Sequence, residues 1–283
     1  MEFFYGALMS DVLKSEIAQH VMKNNIMKDD FGWTVPVETV PLPSKGVIYS
    51  PDSILFGKET LQIKAMTAQE EDILLSQALI KEGTVIIHLI KSCLIDKTVN
   101  VNDLIAGDRN ALMISIRITG YGTQYPVALN CENCGKQNEL DINLADLGIK
   151  RLSIEPIENG KNEFSFLLPV TKKNVVFKFL NANDERNRQA KIDFIEKHSG
   201  GMRSNNITSF LEASIISIDG IKDKNKITHF VKNMPALDSK KLRDYINDNS
   251  PGIELEQEYD CKFCSSHNKF SLPINSNFFW PRQ

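Results

Sequence analysis

Two C-x-x-C pairs, Cys131-Glu-Asn-Cys134 and Cys261-Lys-Phe-Cys264, lie 130 positions apart, and their flanks repeat at the same offset. Tyr125, Val127 and Leu129 alternate into the first pair, and Leu140, Ile142 and Leu144 alternate out of it. Leu255, Gln257 and Tyr259 lead into the second, with Phe270, Leu272 and Ile274 leading out. Period-two alternation marks strands, so the sequence predicts a strand–knuckle–strand unit made twice. Each C-x-x-C turn offers two sulfurs on one rim, and two turns together offer the four thiolates that zinc accepts in closed structural sites. The predicted ligands are Cys131, Cys134, Cys261 and Cys264, a set with no open position for catalysis. Gly135 follows the first pair, where positive φ is easily adopted; Ser265 holds that place after the second, a less comfortable fit. His267 is a spare donor that four thiols make unnecessary. Unmetallated thiols and an iron site are alternatives. A redox role is another, but it needs a C-x-x-C at a helix N-terminus, and neither pair precedes a helical pattern.

Five cysteines in 283 residues are too few for a disulfide scaffold. Cys93 falls on the apolar side of a helical pattern and reads as a small core residue. The net charge is −3, without the basic excess that phosphate binding favours. Glu132, Glu139, Asp141, Glu254, Glu256, Glu258 and Asp260 surround the knuckles, so a nucleic-acid-binding zinc ribbon is the weaker reading. The longest apolar-rich run, from Thr84 to Ile90, is interrupted by His88 and falls short of the ~18–20 residues a membrane span requires. The N-terminus lacks the positive region of a signal peptide, and synthesis in the cytoplasm is expected.

Elsewhere the patterning predicts an α+β chain in four parts. Residues 1–32 read as an N-terminal amphipathic helix or arm, with Leu8, Val12, Leu13, Ile17, Val21 and Met22 at helical spacing. Residues 33–120 carry an arm with Pro36, Pro41 and Pro43, a turn at Ser44-Lys45-Gly46, a strand from Thr60 and a helical subdomain. Prolines there disfavour an interior strand, so the arm is placed on a surface. Thr67-Ala-Gln-Glu70 is a capping box opening a helix that ends near Gly83. A second helix follows from Val85, then a short one at Val101–Ala106 and one capped by Asp108. Residues 121–145 plus 252–283 form a split zinc ribbon with an aromatic tail. Residues 146–251 form an α+β insert: a hairpin turning at Thr171–Asn174, then helices over 184–197, 207–218, 224–233 and 238–247, the last capped by Asp238.

No catalytic constellation is present. His20, His88, His198, His229 and His267 fall in no metalloenzyme spacing, and no nucleophile elbow or phosphate loop occurs. His88 reads as a core or near-core residue inside an apolar helix. Glu70-Glu71-Asp72 reads as a solvated first helical turn. Phe3-Phe4-Tyr5 and Phe278-Phe279-Trp280 are apolar clusters at termini, which are otherwise commonly polar and frayed. They fit either the chain's own core or docking into a partner, and the second is the expectation carried forward, together with the proline arm.

Several blocks occur in order: Leu42-Pro-Ser-Lys-Gly46, Met66-Thr-Ala-Gln-Glu-Glu-Asp-Ile-Leu74, Val101-Asn-Asp-Leu-Ile-Ala-Gly-Asp-Arg-Asn-Ala111, Ile116-Arg-Ile-Thr-Gly-Tyr-Gly122, and Tyr125-Pro-Val into the first knuckle. Over roughly residues 40–145 the chain resembles the T4-type bacteriophage baseplate hub family. The resemblance implies a non-enzymatic component of a contractile tail, located in the virion baseplate, with other hub and tail proteins as partners. It implies no small-molecule substrate and supplies no catalytic residues.

Overall fold

The computed structural model describes residues 25–28, 34–198, 206–274 and 276–279. The predicted N-terminal helix or arm over 1–32 lies outside the described residues except for Asn25–Lys28, which form a strand, β1. Phe3, Phe4, Tyr5, His20 and Trp280 also lie outside them.

The proline arm is not an arm. It is β2 (Thr34–Pro41), the middle strand of an antiparallel sheet between β1 and β3 (Thr60–Lys64). Its pairing with β3 runs from Val37 to Pro41, so Pro36 falls just outside that ladder and Pro41 ends it. Pro36 does sit inside the ladder with β1, opposite Ile26. Its carbonyl accepts from the Ala65 N–H at 2.9 Å, so its missing N–H faces β3 beyond the paired stretch and costs no ladder bond. Val37, Val40 and Leu42 then enter the core.

The capping box forms. The Glu70 carboxylate accepts from the Thr67 N–H at 2.9 Å and from its hydroxyl at 2.6 Å, opening α1 (Ala68–Leu75). The predicted single helix breaks at Ser76, whose side chain caps α2 (Gln77–Glu82), and Gly83 ends it at φ 67°. α3 (Val85–Cys93) buries Val85, Leu89, Ile90 and Cys93. His88 is exposed, not near-core, because it lies on the helix face away from those four. A 3-10 turn at Val101–Asp103 leads to α4 (Ala106–Tyr121). Its N-cap is Ile105, not Asp108. Gly107 lets α4 touch the chain near Pro251: a Cβ there would lie 1.9 Å from the Pro251 carbonyl oxygen.

β4 (Gln124–Asn130) and β5 (Gln137–Asn143) form the first knuckle hairpin. β6 (Ile149–Lys150) pairs with a two-residue strand at Gly252–Ile253. The predicted hairpin is β7 (Phe164–Leu167) with β8 (Asn174–Phe177). α5 (Ala182–His198) and α6 (Asn206–Ser214) follow. The helix expected to 218 stops at Ser214, and Ile215–Ile218 become β9, paired to β8. Branched Ile215, Ile216 and Ile218 suit an extended, largely buried edge strand better than a helix interior. α7 (Lys224–Asn233) is as expected, and α8 (Ala236–Asn249) has Pro235, not Asp238, at its N-cap position, with no side-chain cap bond. After the Gly252–Ile253 strand, β10, come β11 (Glu256–Asp260) and β12 (His267–Ser271), the second knuckle hairpin.

One hydrophobic core joins these elements, from Val40 and Leu61 through Leu89 and Ile116 to Phe177, Leu242 and Leu272. Phe278 and Phe279 belong to it, 1% and 0% exposed, so these two phenylalanines plug the chain's own core and are not free for docking. Phe278 packs on Tyr125 at 5.0 Å between ring centroids, and its carbonyl accepts from buried Arg117. Among the described residues no helix is long and apolar enough to cross a membrane.

Candidate metal centre

The two knuckles face each other. In each, the first cysteine N–H donates to a carbonyl five residues on (Cys131 to Lys136, 3.0 Å; Cys261 to Ser266, 2.9 Å). Its own carbonyl accepts from the residue after the second cysteine, Gly135 or Ser265, at 2.9 Å in both. That residue has positive φ in both turns, 70° at Gly135 and 54° at Ser265, so the serine holds the strained geometry that glycine adopts freely. The result is an inner, buried cysteine and an outer, exposed one in each knuckle: Cys131 and Cys134, Cys261 and Cys264.

All four sulfurs lie within 4.8 Å of one another. Cys131 Sγ is 3.7 Å from Cys264 Sγ, and Cys134 Sγ is 3.7 Å from Cys261 Sγ, so each inner sulfur meets the outer sulfur of the other turn. A disulfide requires about 2.05 Å. A tetrahedral ion with metal–sulfur bonds of about 2.3 Å requires edges of about 3.8 Å; the two cross-knuckle pairs match that edge, and the remaining pairs lie within 4.8 Å. The sequence-predicted set is therefore brought together, and it is the one group of three or more Cys, His, Asp or Glu donors so placed among the described residues. His267 is not in it; its ring faces Asp260 at 3.1 Å and Glu258 at 3.3 Å.

The surroundings favour thiolate at Cys131 and Cys264. The Ser266 hydroxyl is 3.1 Å from Cys131 Sγ and 3.2 Å from Cys264 Sγ. It draws the Cys131 thiol down to about 5, with backbone N–H groups of the same turn adding to the effect, and lowers Cys264 too. At Cys134 the Lys136 backbone N–H pulls down, but burial and the neighbouring sulfurs outweigh it and hold the thiol at about 11. A divalent cation would displace that proton on binding.

Two residues that sequence reading passed over complete the centre. Asn138, 1% exposed, accepts from the Lys262 N–H at 2.9 Å and directs its Nδ2 at Cys261 Sγ, 3.5 Å away. Asn268, 6% exposed, accepts from the Glu132 N–H at 3.2 Å, with its Oδ1 3.6 Å from Cys131 Sγ. Each asparagine thus grips the knuckle it does not belong to. The signal was available, because Asn138 and Asn268 are also 130 positions apart.

The outer faces of the hairpins are acidic: Glu132, Glu139, Asp141, Glu254, Glu256, Glu258 and Asp260 are all exposed. Cys93 is fully buried in α3, its thiol pushed up to about 12 by burial. Glu70, expected on a solvated face, is instead buried, bonded to Lys64 at 2.8 Å and to Ser92 at 2.5 Å.

Residues 43–280 match the family described as T4 bacteriophage base plate protein. The chain belongs to that family. No curated protein and no solved structure matches it. Membership in the T4 base plate family spans both knuckles and everything between them, whereas the sequence blocks stopped near residue 145. As a T4 base plate protein, the chain has its place in the phage tail among other tail proteins.

Proposed function

We propose that the protein is a non-enzymatic building component of the baseplate hub of a contractile phage tail, and that its four-cysteine centre holds one structural zinc. The family match over residues 43–280 carries this reading, and four sulfurs gathered within 4.8 Å, two pairs of them at 3.7 Å, support the metal. With all four positions taken by thiolate, the zinc would serve as a cross-link and not as a Lewis acid for substrate. The partners are other hub and tail proteins, engaged by surface docking; neither a nucleic acid nor a small-molecule substrate is part of the proposal.

Interrupting this gene in its phage tests the role. Infected cells are expected to accumulate tail parts without complete baseplates, restored by the wild-type gene supplied in trans. Normal, infectious tails from the interrupted phage would overturn it. For the metal, elemental analysis of reduced protein is expected to give about one zinc per chain.

A further inference from the structure

The correspondence between the two knuckles does not stop at them. Asp108 and Asp238, again 130 apart, occupy the same third position of α4 and α8, and both are fully buried. Asp108 accepts from the Ser44 N–H at 3.0 Å and hydroxyl at 2.6 Å; Asp238 accepts from the Thr171 N–H at 3.0 Å and hydroxyl at 2.8 Å. Ser44 and Thr171 stand in like turns, Leu42-Pro-Ser-Lys45 and Leu168-Pro-Val-Thr-Lys172, whose lysines both have positive φ, 52° and 56°.

The next strand repeats the scheme. Lys64, the last residue of β3, pairs with Glu70 of the following helix at 2.8 Å, and Lys178, directly after β8, pairs with Asp184 at 2.7 Å. Those acids close equivalent caps on Thr67 and Asn181. Beyond them, Leu94 bridges to Ile63 directly after α3, as β9 pairs with β8 directly after α6.

We infer that the chain is two copies of one α/β unit in tandem, about 34–146 and 164–274, and that the four-cysteine centre is their shared joint, with Asn138 and Asn268 as its reciprocal positioning residues. This rests on the metal reading above and deepens it. Residues 146–251 are then no insert but mostly the second copy's own sheet and helices. Each copy contributes one knuckle and one asparagine, and each asparagine fixes the backbone of the other copy's turn beside its inner cysteine. Neither asparagine belongs to the four-thiolate set; they act through the backbone N–H groups of Glu132 and Lys262 and through the sulfurs beside them. Such supporting contacts orient ligands and commonly alter metal affinity by roughly 10–100-fold.

The test compares Asn138→Ala, Asn268→Ala and the wild type as full-length reduced protein. Zinc affinity is read by chelator competition, the ligand field by the cobalt(II) spectrum, and stability by melts with and without metal. Asp141→Ala, at an exposed position of β5 away from the sulfurs, is the control. Both alanine variants are expected to bind zinc about 10–100-fold more weakly, to a similar degree, with a shifted cobalt spectrum. Their metal-free melts should match the wild type, while the control should stay within about twofold. Where an alanine variant does not fold, the serine variant is read in the same way.

Unchanged affinity in both variants overturns the proposal while leaving the zinc centre standing. A loss confined to one asparagine overturns the reciprocal assignment. Melts lowered equally with and without metal mean a packing role and also overturn it. A wild type that binds neither zinc nor cobalt overturns the metal reading itself and this proposal with it.

Discussion

Two buried glutamates carry opposite consequences for acid stability. At Glu70 burial alone would raise the carboxyl, but hydrogen bonds from Lys64, Ser92 and Thr67 outweigh it and hold it at about 2, against 4.5 for an ordinary glutamate. The folded protein therefore binds this proton less readily than the unfolded chain. The stability it contributes is present above pH 4.5 and is lost as pH falls from there toward 2. Glu38, on β2, is pushed up by burial to about 7. Its folded state favours the neutral acid, so the contribution is full below pH 4.5 and disappears as pH rises through 7. Glu38→Gln is expected to raise stability at pH 8 by roughly 1–3 kcal/mol and to flatten the profile between pH 5 and 8. Glu70→Gln is expected to lower stability at neutral pH and to weaken the dependence below pH 4.5. Denaturant titrations across pH 3–8 check both signs.

At the scale of elements, the turn-to-helix clamps make a sharp test. Asp238 receives the Val170 and Thr171 N–H groups and the Thr171 hydroxyl. Asp238→Asn replaces one acceptor oxygen with a donor facing donors, and an expected loss of about 1–3 kcal/mol should appear in melts. The same geometry explains what the sequence made legible. An aspartate near a helix start serves equally as N-cap or as third residue, and only the distant turn at Ser44 or Thr171 decides between them. The knuckles were legible because their chemistry is local: cysteine spacing, alternating flanks and a positive-φ site all lie within about twenty residues. β2 was not, because whether a proline-bearing segment is an arm or a central strand depends on β1 and β3 arriving beside it. β9 was not, because its four residues continue a helical run and turn extended only against β8. The terminal aromatics could not be placed from sequence either, since Phe278 finds its partner in Tyr125, over 150 residues away. Deleting residues 276–283 is accordingly expected to cost about 3–6 kcal/mol from the two lost phenylalanines, seen as a large fall in melting temperature.

For the whole molecule, the centre joins segments that chain connectivity leaves far apart. If the proposed zinc is bound, removing it with a chelator, or making Cys261→Ser, is expected to lower the melting temperature and to speed amide exchange in β4, β5, β11 and β12. The α3–α4 packing, built on Leu89, Leu112 and Ile116, should keep its protection. Uniform deprotection of both regions would show that the centre is needed for folding as a whole.

The placement of the sulfurs also sets how tension would travel. With an ion on all four, residues 135–260 form a closed loop bridged at its neck, a few ångströms wide where Cys134 meets Cys261. A pull applied through residues before Cys131 and after Cys264 would load the metal–sulfur bonds and leave that loop slack. The helices α5 to α8 would then be mechanically silent, stretched only once the bridge had parted.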